Sequence, residues 1–388
     1  MRSIRSFFQS LRSPEKLQVT VFVALLAVVS FFSLCSLLMA YKTDTVINNQ
    51  ATGDDRLESD LNANILGTEV LMNLNGAMHR LLGHDQMNGV TRLQNGYLTE
   101  LQGPVWPETL QDNAEKIAEV QQTLAERGIP FLYAVTPYKI QAGDPQLPPY
   151  TEDHTNEALD LYVQDLQNLG VPVLDLRQAF AAQEADPYTL FYRTDHHWNV
   201  HGGFFAYTQL AQRMQQMLGV QVDPALLTED SFHEEVYPAW HLGTHGQRTG
   251  TVFAGGADDF SILVPDFETQ ILDEGSGKAG TFEEILLDTS VLQSRDLASR
   301  YTYDTVFRFG DFQSQNTGCG KKVLFLSDSM GRAVLPFLTL AFTEVRTIEA
   351  YSPQNVTMEY IEAYQPDIVV FMHYATVTFN TGCFAFPL

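Results

Sequence analysis

Two short segments hold residues whose types and spacing can do chemistry. The first is Tyr192-Arg193-Thr194-Asp195-His196-His197-Trp198-Asn199, ahead of the helix-like run VHGGFFAYTQLAQRM. An Asp two residues before a His on a turn can reach the imidazole Nδ1, fix its tautomer and leave Nε2 to take a proton. Asn199 is placed to cap the following helix, a purely local use of the same turn. The second segment is KKVLFLSDSMGRAVLPFL, in which an apolar strand ends at Leu326, Ser327-Asp328-Ser329 turns, and a helix begins near Gly331. A serine there stands at the carboxyl edge of a strand, where ligands of parallel sheets bind. The Ser329 N–H, near a helix N-terminus, can donate to an oxyanion. Ser and Asp at such a turn can equally be plain caps. Taken together, a turn serine and an Asp–His loop fill the three roles of nucleophilic acyl transfer.

A metal centre is the chemical rival. His197 and His201 are four apart, Asp195 and His196 lie beside them, and His241 and His245 form another such pair in a Gly-rich stretch. His201 precedes Gly202-Gly203 and reads as exposed, so no metal is expected at the site.

Elements must bring these segments together. Ile117, Val120 and Leu124 share a helical face before Gly128, and PFLYAV (130–135) reads as a strand. The pattern returns as Leu159–Leu169 followed by VPVLDL (171–176), then as KKVLFL (321–326), a helix at 331–342, VRTIEA (345–350), a helix at 355–364 and DIVVFM (367–372). Such alternation predicts an α/β fold, a parallel sheet with helices on both faces. Residues 228–318, with Gly-Gly, Asp-Asp and Gly-Ser-Gly turns around segments such as FSILVPDF, read as a β-rich insertion. Spaced apolar positions at Leu61, Ile65, Val70, Leu71 and Leu74 suggest a helix within 61–83.

Composition narrows the setting. The chain has 388 residues, 45% hydrophobic, and a formal net charge of −24. Residues 1–42 hold five basic groups and one acid, so the rest carries 18 basic and 46 acidic groups, or −28. So acidic a body repels phosphate backbones, which argues against nucleic acid as a partner. Three cysteines exclude a disulfide-rich scaffold and a Cys₄ zinc module. Leu17 to Tyr41 is uncharged over 25 residues, long enough to cross a hydrocarbon core of about 30 Å. With no clean cleavage site after it, it reads as an uncleaved single-pass transmembrane anchor. Arg2, Arg5, Arg12 and Lys16 before it, against Lys42 after it, place the N-terminus in the cytoplasm and the rest outside the cell membrane. Cys35 falls within the anchor; Cys319 and Cys383, each after Asn-Thr-Gly, can form a bridge in an oxidising compartment or remain two thiols.

The order and wording of these motifs resemble the DHHW family and the extracytoplasmic polysaccharide O-acetyltransferases of the alginate-acetylation type. The similarity spans residue 91 to about 375: LQNGYL (93–98), FLYAVTPYK (131–139), VLDL (173–176), TDHHWN, FLSDSMG and PDIVVF (366–371). The resemblance implies an SGNH-hydrolase-like domain in which Asp195 and His197 form the dyad and Ser329 is the nucleophile. The Asp–His motif precedes the Ser, the reverse of ordinary SGNH esterases, and Ser327 stands where the family motif has Gly. Arg332, Tyr138 and Lys139 are candidates for the remaining oxyanion or substrate contacts. The resemblance also implies an acetyl-serine intermediate without a cofactor, a polysaccharide acceptor and a membrane-bound O-acyltransferase as donor partner. A carbohydrate acetyl esterase, or a non-catalytic glycan-binding or envelope-assembly protein, would use the same fold. The resulting division is a cytoplasmic N-terminus (1–16), anchor (17–41), stalk and helix (42–90), first part of the α/β domain (91–227), insertion (228–318) and second part with the nucleophile (319–388).

Overall fold

The computed structural model describes residues 68–183, 186–293, 306–350 and 355–380, with single positions at 23, 27, 30, 31, 384 and 386. The expected anchor, save four positions, the stalk, Cys35 and Cys383 lie outside the described residues. Among those described, no helix is long and apolar enough to cross a membrane, and Cys319 is a free thiol. The chain divides into two units, Met1–Met78 and His79–Leu388. The helix expected within 61–83 forms as α1 (Thr68–Leu81), and its Val70, Leu71 and Leu74 are exposed.

The second unit is built on apolar strands too short to alternate with polar residues, which need cover on both faces. After a small antiparallel sheet of β1 (Gln86–Met87), β2 (Val90–Arg92) and β3 (Leu98–Thr99) come β4 (Phe131–Val135) and β5 (Val173–Asp175). The insertion contributes a hairpin of β6 (Phe232–His241) and β7 (Asp258–Pro265), then β8 (Ile271–Asp273), β9 (Lys278–Gly280) and β10 (Phe312–Ser314). The chain ends with β11 (Lys322–Ser327), β12 (Glu344–Glu349) and β13 (Ile368–His373). The main sheet has the order β5-β4-β13-β11-β12-β10-β8-β9. Its first five strands are parallel, as expected.

The sheet as a whole is mixed, not parallel, because β10, β8 and β9 extend the β12 edge antiparallel. The helix–strand alternation stops in the insertion. There β8 and β9 are joined by the tight Asp273–Gly277 turn, which permits only antiparallel pairing.

Alternate residues of the central strands feed two cores. Val323, Phe325, Val370 and Met372 join one apolar cluster with Phe204 and Tyr207 of α5 (Val200–Leu218) and with the insertion's Phe260 and Ile262. Leu324, Leu326, Val369 and Phe371 join the other, with Ile117 of α2 (Pro107–Ala125) and Leu159 of α3 (Thr155–Asn168). Between α3 and α5 lies the short α4 (Leu176–Ala181). The remaining helices are α6 (Thr244–Ala254), α7 (Phe282–Leu286), α8 (Leu335–Ala341) and α9 (Met358–Tyr364). The helix expected from 331 is first a single 3₁₀ turn, Ser329–Ala333, and becomes α8 only at Leu335. Pro336, which lacks an N–H, suits that first helical turn.

Helix α5 approaches the 3₁₀ turn so closely that only glycine fits: a Cβ on Gly203 would lie 2.6 Å from the Ala333 Cβ and 2.9 Å from its carbonyl oxygen. Gly203→Ala should therefore destabilise the domain by about 1–3 kcal/mol, the scale of overpacking. Urea unfolding measures this, and an unchanged midpoint would contradict so tight a seat.

Candidate active site

Strand β11 delivers the Ser327-Asp328-Ser329 turn. Asp328 caps the 3₁₀ turn, its carboxylate accepting the Met330 N–H at 2.9 Å and, from the end of β13, the Tyr374 N–H at 2.7 Å. One buried side chain thus fixes the turn to two neighbouring parallel strands and leaves Ser329 half-buried at their carboxyl edge. Ser327 turns its hydroxyl onto the Asp328 carbonyl at 3.3 Å.

The Asp–His loop is closed by an antiparallel bridge between Phe191 and Trp198 and by the Tyr192 N–H donating to the His197 carbonyl at 3.2 Å. Asn199 does cap α5, accepting the Gly202 N–H at 3.0 Å. The capping reading of this segment is thus observed, and it leaves Asp195 and His197 in the loop ahead of the helix. Trp198 ties the two loops together, its buried indole N–H donating to the Met330 carbonyl at 3.1 Å.

Across this junction the two segments meet. His197 Nε2 lies 2.7 Å from Ser329 Oγ, and its Nδ1 lies 3.3 Å from Asp195 Oδ2. Burial pushes the His197 imidazole below its ordinary pKa of 6.5; His196 adds to that, while Asp195 pulls back. Burial also works to raise Asp195, but the imidazoles of His197 and His196 outweigh it and hold the carboxyl well below its ordinary range. Both shifts favour a carboxylate beside a neutral imidazole.

Asp195 is only 1% exposed, and its support comes largely from the insertion. Oδ1 accepts from the His196 N–H at 2.7 Å and from the Thr244 hydroxyl at 2.9 Å. Oδ2 lies 2.9 Å from Nε2 of the fully buried His241. Gly243 packs against the same side chain; a Cβ there would lie 2.2 Å from that of Asp195. Thr194 fixes the preceding backbone, its N–H and hydroxyl donating to Asp258 of β7 at 2.7 and 2.6 Å.

Sequence reasoning missed this role for His241 and Thr244. The only signal was the His241/His245 spacing, which the metal reading pairs. The structure separates that pair: His241 goes to Asp195, and His245 Nδ1 to the Leu98 carbonyl at 3.2 Å. Asp195, His196 and His197 do cluster closely enough to share a cation. His201 does not join them, its nitrogens lying 3.0 Å from Glu229 and 3.2 Å from Glu234.

The three other candidates make the following contacts within the protein. The Tyr138 hydroxyl donates to the Glu100 carbonyl at 2.5 Å. Arg332 donates to Glu349 at 3.1 Å and lies over the Phe309 ring at 5.0 Å. Lys139 is buried and donates to the carbonyls of Leu98, at 2.8 Å, and of Asp195. None of these bonds is made to Ser329.

Residues 100–243 match the family model of the SGNH hydrolase-like domain of acetyltransferase AlgX. Among solved structures, a DHHW family protein from Eubacterium siraeum is similar at TM-score 0.58 and 19% identity, over 77% of this chain and 94% of that one. Bacillus cereus PatB1 is similar at TM-score 0.60 and 17% identity, over 76% of this chain and 98% of that one. No curated protein matches. The two structures establish the common fold. Over residues 100–243 the chain is similar to an SGNH hydrolase-like domain, in agreement with the resemblance read from its motifs.

Two outcomes follow from this geometry. Labelling of Ser329 by a serine-directed sulfonyl reagent should rise with pH along a limb below 6.5 and level off near neutrality, because an imidazole 2.7 Å from Oγ accepts its proton only when neutral and burial lowers the His197 pKa. A limb at or above that value would contradict the burial effect. Gly243→Ala should slow the labelling about 100-fold by displacing Asp195, the scale of a misplacement near 1 Å; wild-type kinetics would show that Asp195 does not need its seat.

Proposed function

We propose that this chain is a membrane-anchored, extracytoplasmic O-acetyltransferase acting on a cell-envelope or secreted polysaccharide through Ser329, His197 and Asp195. The observation that carries the reading is the 2.7 Å approach of His197 Nε2 to Ser329 Oγ, with Asp195 behind the imidazole. An alcohol so placed passes its proton to a neutral base as its oxygen attacks. Ser329 Oγ adds to the carbonyl carbon of an acetyl ester, and the developing oxyanion is met by the Ser329 N–H at the start of the turn. Collapse breaks the donor's C–O bond, His197 returns the proton to the departing oxygen, and an acetyl-serine remains. A sugar hydroxyl then loses its proton to His197 and attacks that ester. Its collapse restores Ser329 and leaves the acetyl group on the glycan.

A cleft of about 300 Å³ supports a glycan acceptor. It opens on the same carboxyl edge of the sheet, beyond β4 and β5, with Gln141, Asn156, Arg177 and Gln178 among its walls. The Gln141 and Gln178 amides suit sugar hydroxyls, while Arg177 is held by Asp160 and Asp175. The family match to an acetyltransferase domain favours transfer over hydrolysis. Leu17–Tyr41 as anchor would hold the domain beside a membrane-bound O-acyltransferase that supplies acetyl groups, with Ser329 outside the cytoplasm.

Full-length protein in detergent, given an activated acetyl ester and oligosaccharide acceptors, should form acetylated glycan faster than free acetate. Ser329→Ala should remove about 10⁴-fold or more of that rate, as loss of a serine nucleophile does, with its circular dichroism unchanged. Acetate as the sole product with every acceptor would make the chain an esterase, and undiminished turnover in the variant would remove Ser329 from the chemistry.

A further inference from the structure

The Asp–His loop carries a second imidazole that the acyl-transfer steps do not use. His196 places Nδ1 3.0 Å from Asp195 Oδ1, while His197 faces Oδ2. Asp195 thus meets two imidazoles through the same ring atom, one at each carboxylate oxygen. They differ in exposure and in what their Nε2 atoms meet. The His197 side chain is 6% exposed, and its Nε2 lies against Ser329 Oγ. The His196 side chain is 22% exposed, and among the described residues its Nε2 has no hydrogen-bond partner. Because a carboxylate only accepts, His196 Nδ1 carries the proton, and Nε2 of the neutral ring is left with a lone pair.

Ring contacts join the acceptor cleft to the reacting pair, and His196 is the member beside His197. Its ring centre is 3.9 Å from that of His197 and 4.8 Å from that of the half-buried Tyr374. Tyr374 in turn lies 6.0 Å from Tyr138, which lines the cleft.

We propose that His196 binds the acceptor: its Nε2 accepts a hydrogen bond from the hydroxyl vicinal to the one being acetylated, so that the acceptor is a vicinal diol. This rests on the acyl-transfer reading of Asp195, His197 and Ser329 given above. Hydroxyls on neighbouring sugar carbons are close enough for two imidazoles 3.9 Å apart to take one each. The attacking hydroxyl gives its proton to His197 Nε2 as its oxygen bonds to the acetyl carbon. Ser329 Oγ leaves that carbon and takes the proton back. The neighbouring hydroxyl keeps its own proton, shared with His196. Water can attack in the same way but brings no second hydroxyl, so the contact favours transfer over hydrolysis. A polar group that receives a hydroxyl also disfavours an analogue lacking it, because the group is then left unpaired.

Full-length protein in detergent, acetylated by an activated ester, is chased with trans-1,2-cyclohexanediol or with cyclohexanol, and acetylated alcohol is measured against free acetate. Per hydroxyl, the wild type should favour the diol about fivefold, the scale of one hydrogen bond. Two variants separate the two nitrogens. The amide of His196→Asn reaches only as far as Nδ1 and can still donate to Asp195, whereas that of His196→Gln reaches the place of Nε2. The diol preference should vanish in His196→Asn and persist in His196→Gln. It is read as a ratio within each protein, so a loss of overall rate does not enter it. A preference that survives in His196→Asn overturns the proposal, and one lost equally in both variants makes His196 structural and overturns it too. A wild type that acetylates the two alcohols equally, or neither, overturns it even where no variant folds. Acetyl-Ser329 without a diol preference defeats the role of His196 alone, whereas no acetyl on Ser329 defeats the acyl-transfer reading and this role with it.

Discussion

Asp195 has almost no contact with water, and a carboxylate in that position is tolerated only where other groups replace the lost solvation. Much of the local structure follows from that requirement. The His196 N–H, the Thr244 hydroxyl, the His241 imidazole and the His197 imidazole converge on its two oxygens. Because several groups hold one carboxylate, its orientation is fixed before any substrate arrives. That orientation in turn selects the His197 tautomer with Nε2 facing Ser329.

The same requirement gives the insertion a purpose. A minimal parallel sheet would bring the β11 turn and the Asp–His loop to one edge but would leave Asp195 facing solvent. Residues 241–244, between β6 and α6, close over it, while Asp258 at the start of β7 fixes Thr194. On the opposite side, the Trp198 indole and the close seat of Gly203 on Ala333 set the spacing of the two loops. An imidazole and a serine hydroxyl 2.7 Å apart, contributed by segments 132 residues apart in the chain, are thus held by packing rather than by one bond.

What was legible in the sequence followed from local chemistry. Asp195 and His197 are two residues apart on a turn and Ser329 follows a strand, so the Asp–His contact and the place of Ser329 at a strand end could be read from turn geometry. The five parallel strands were marked by apolar runs between amphipathic helices. The supports of Asp195 were not legible, because His241 and Thr244 lie more than 45 positions downstream, and their pairing with it depends on how a hairpin folds back. The antiparallel continuation was missed for a related reason. Strands β8, β9 and β10 have three residues each, too few to show a period. The contacts of Tyr138, Lys139 and Arg332 with Glu100, Leu98 and Glu349 were not legible either, because each joins segments far apart in the chain.

The central claim is that Ser329, activated by His197, carries the acetyl group. Intact-protein and peptide mass spectrometry after brief exposure to an activated acetyl ester addresses it most directly. The account predicts one added acetyl group, located on Ser329, that disappears when an oligosaccharide is supplied and fails to form in His197→Ala. Acetyl found only on lysines, or on Ser329 to the same extent without His197, would contradict it.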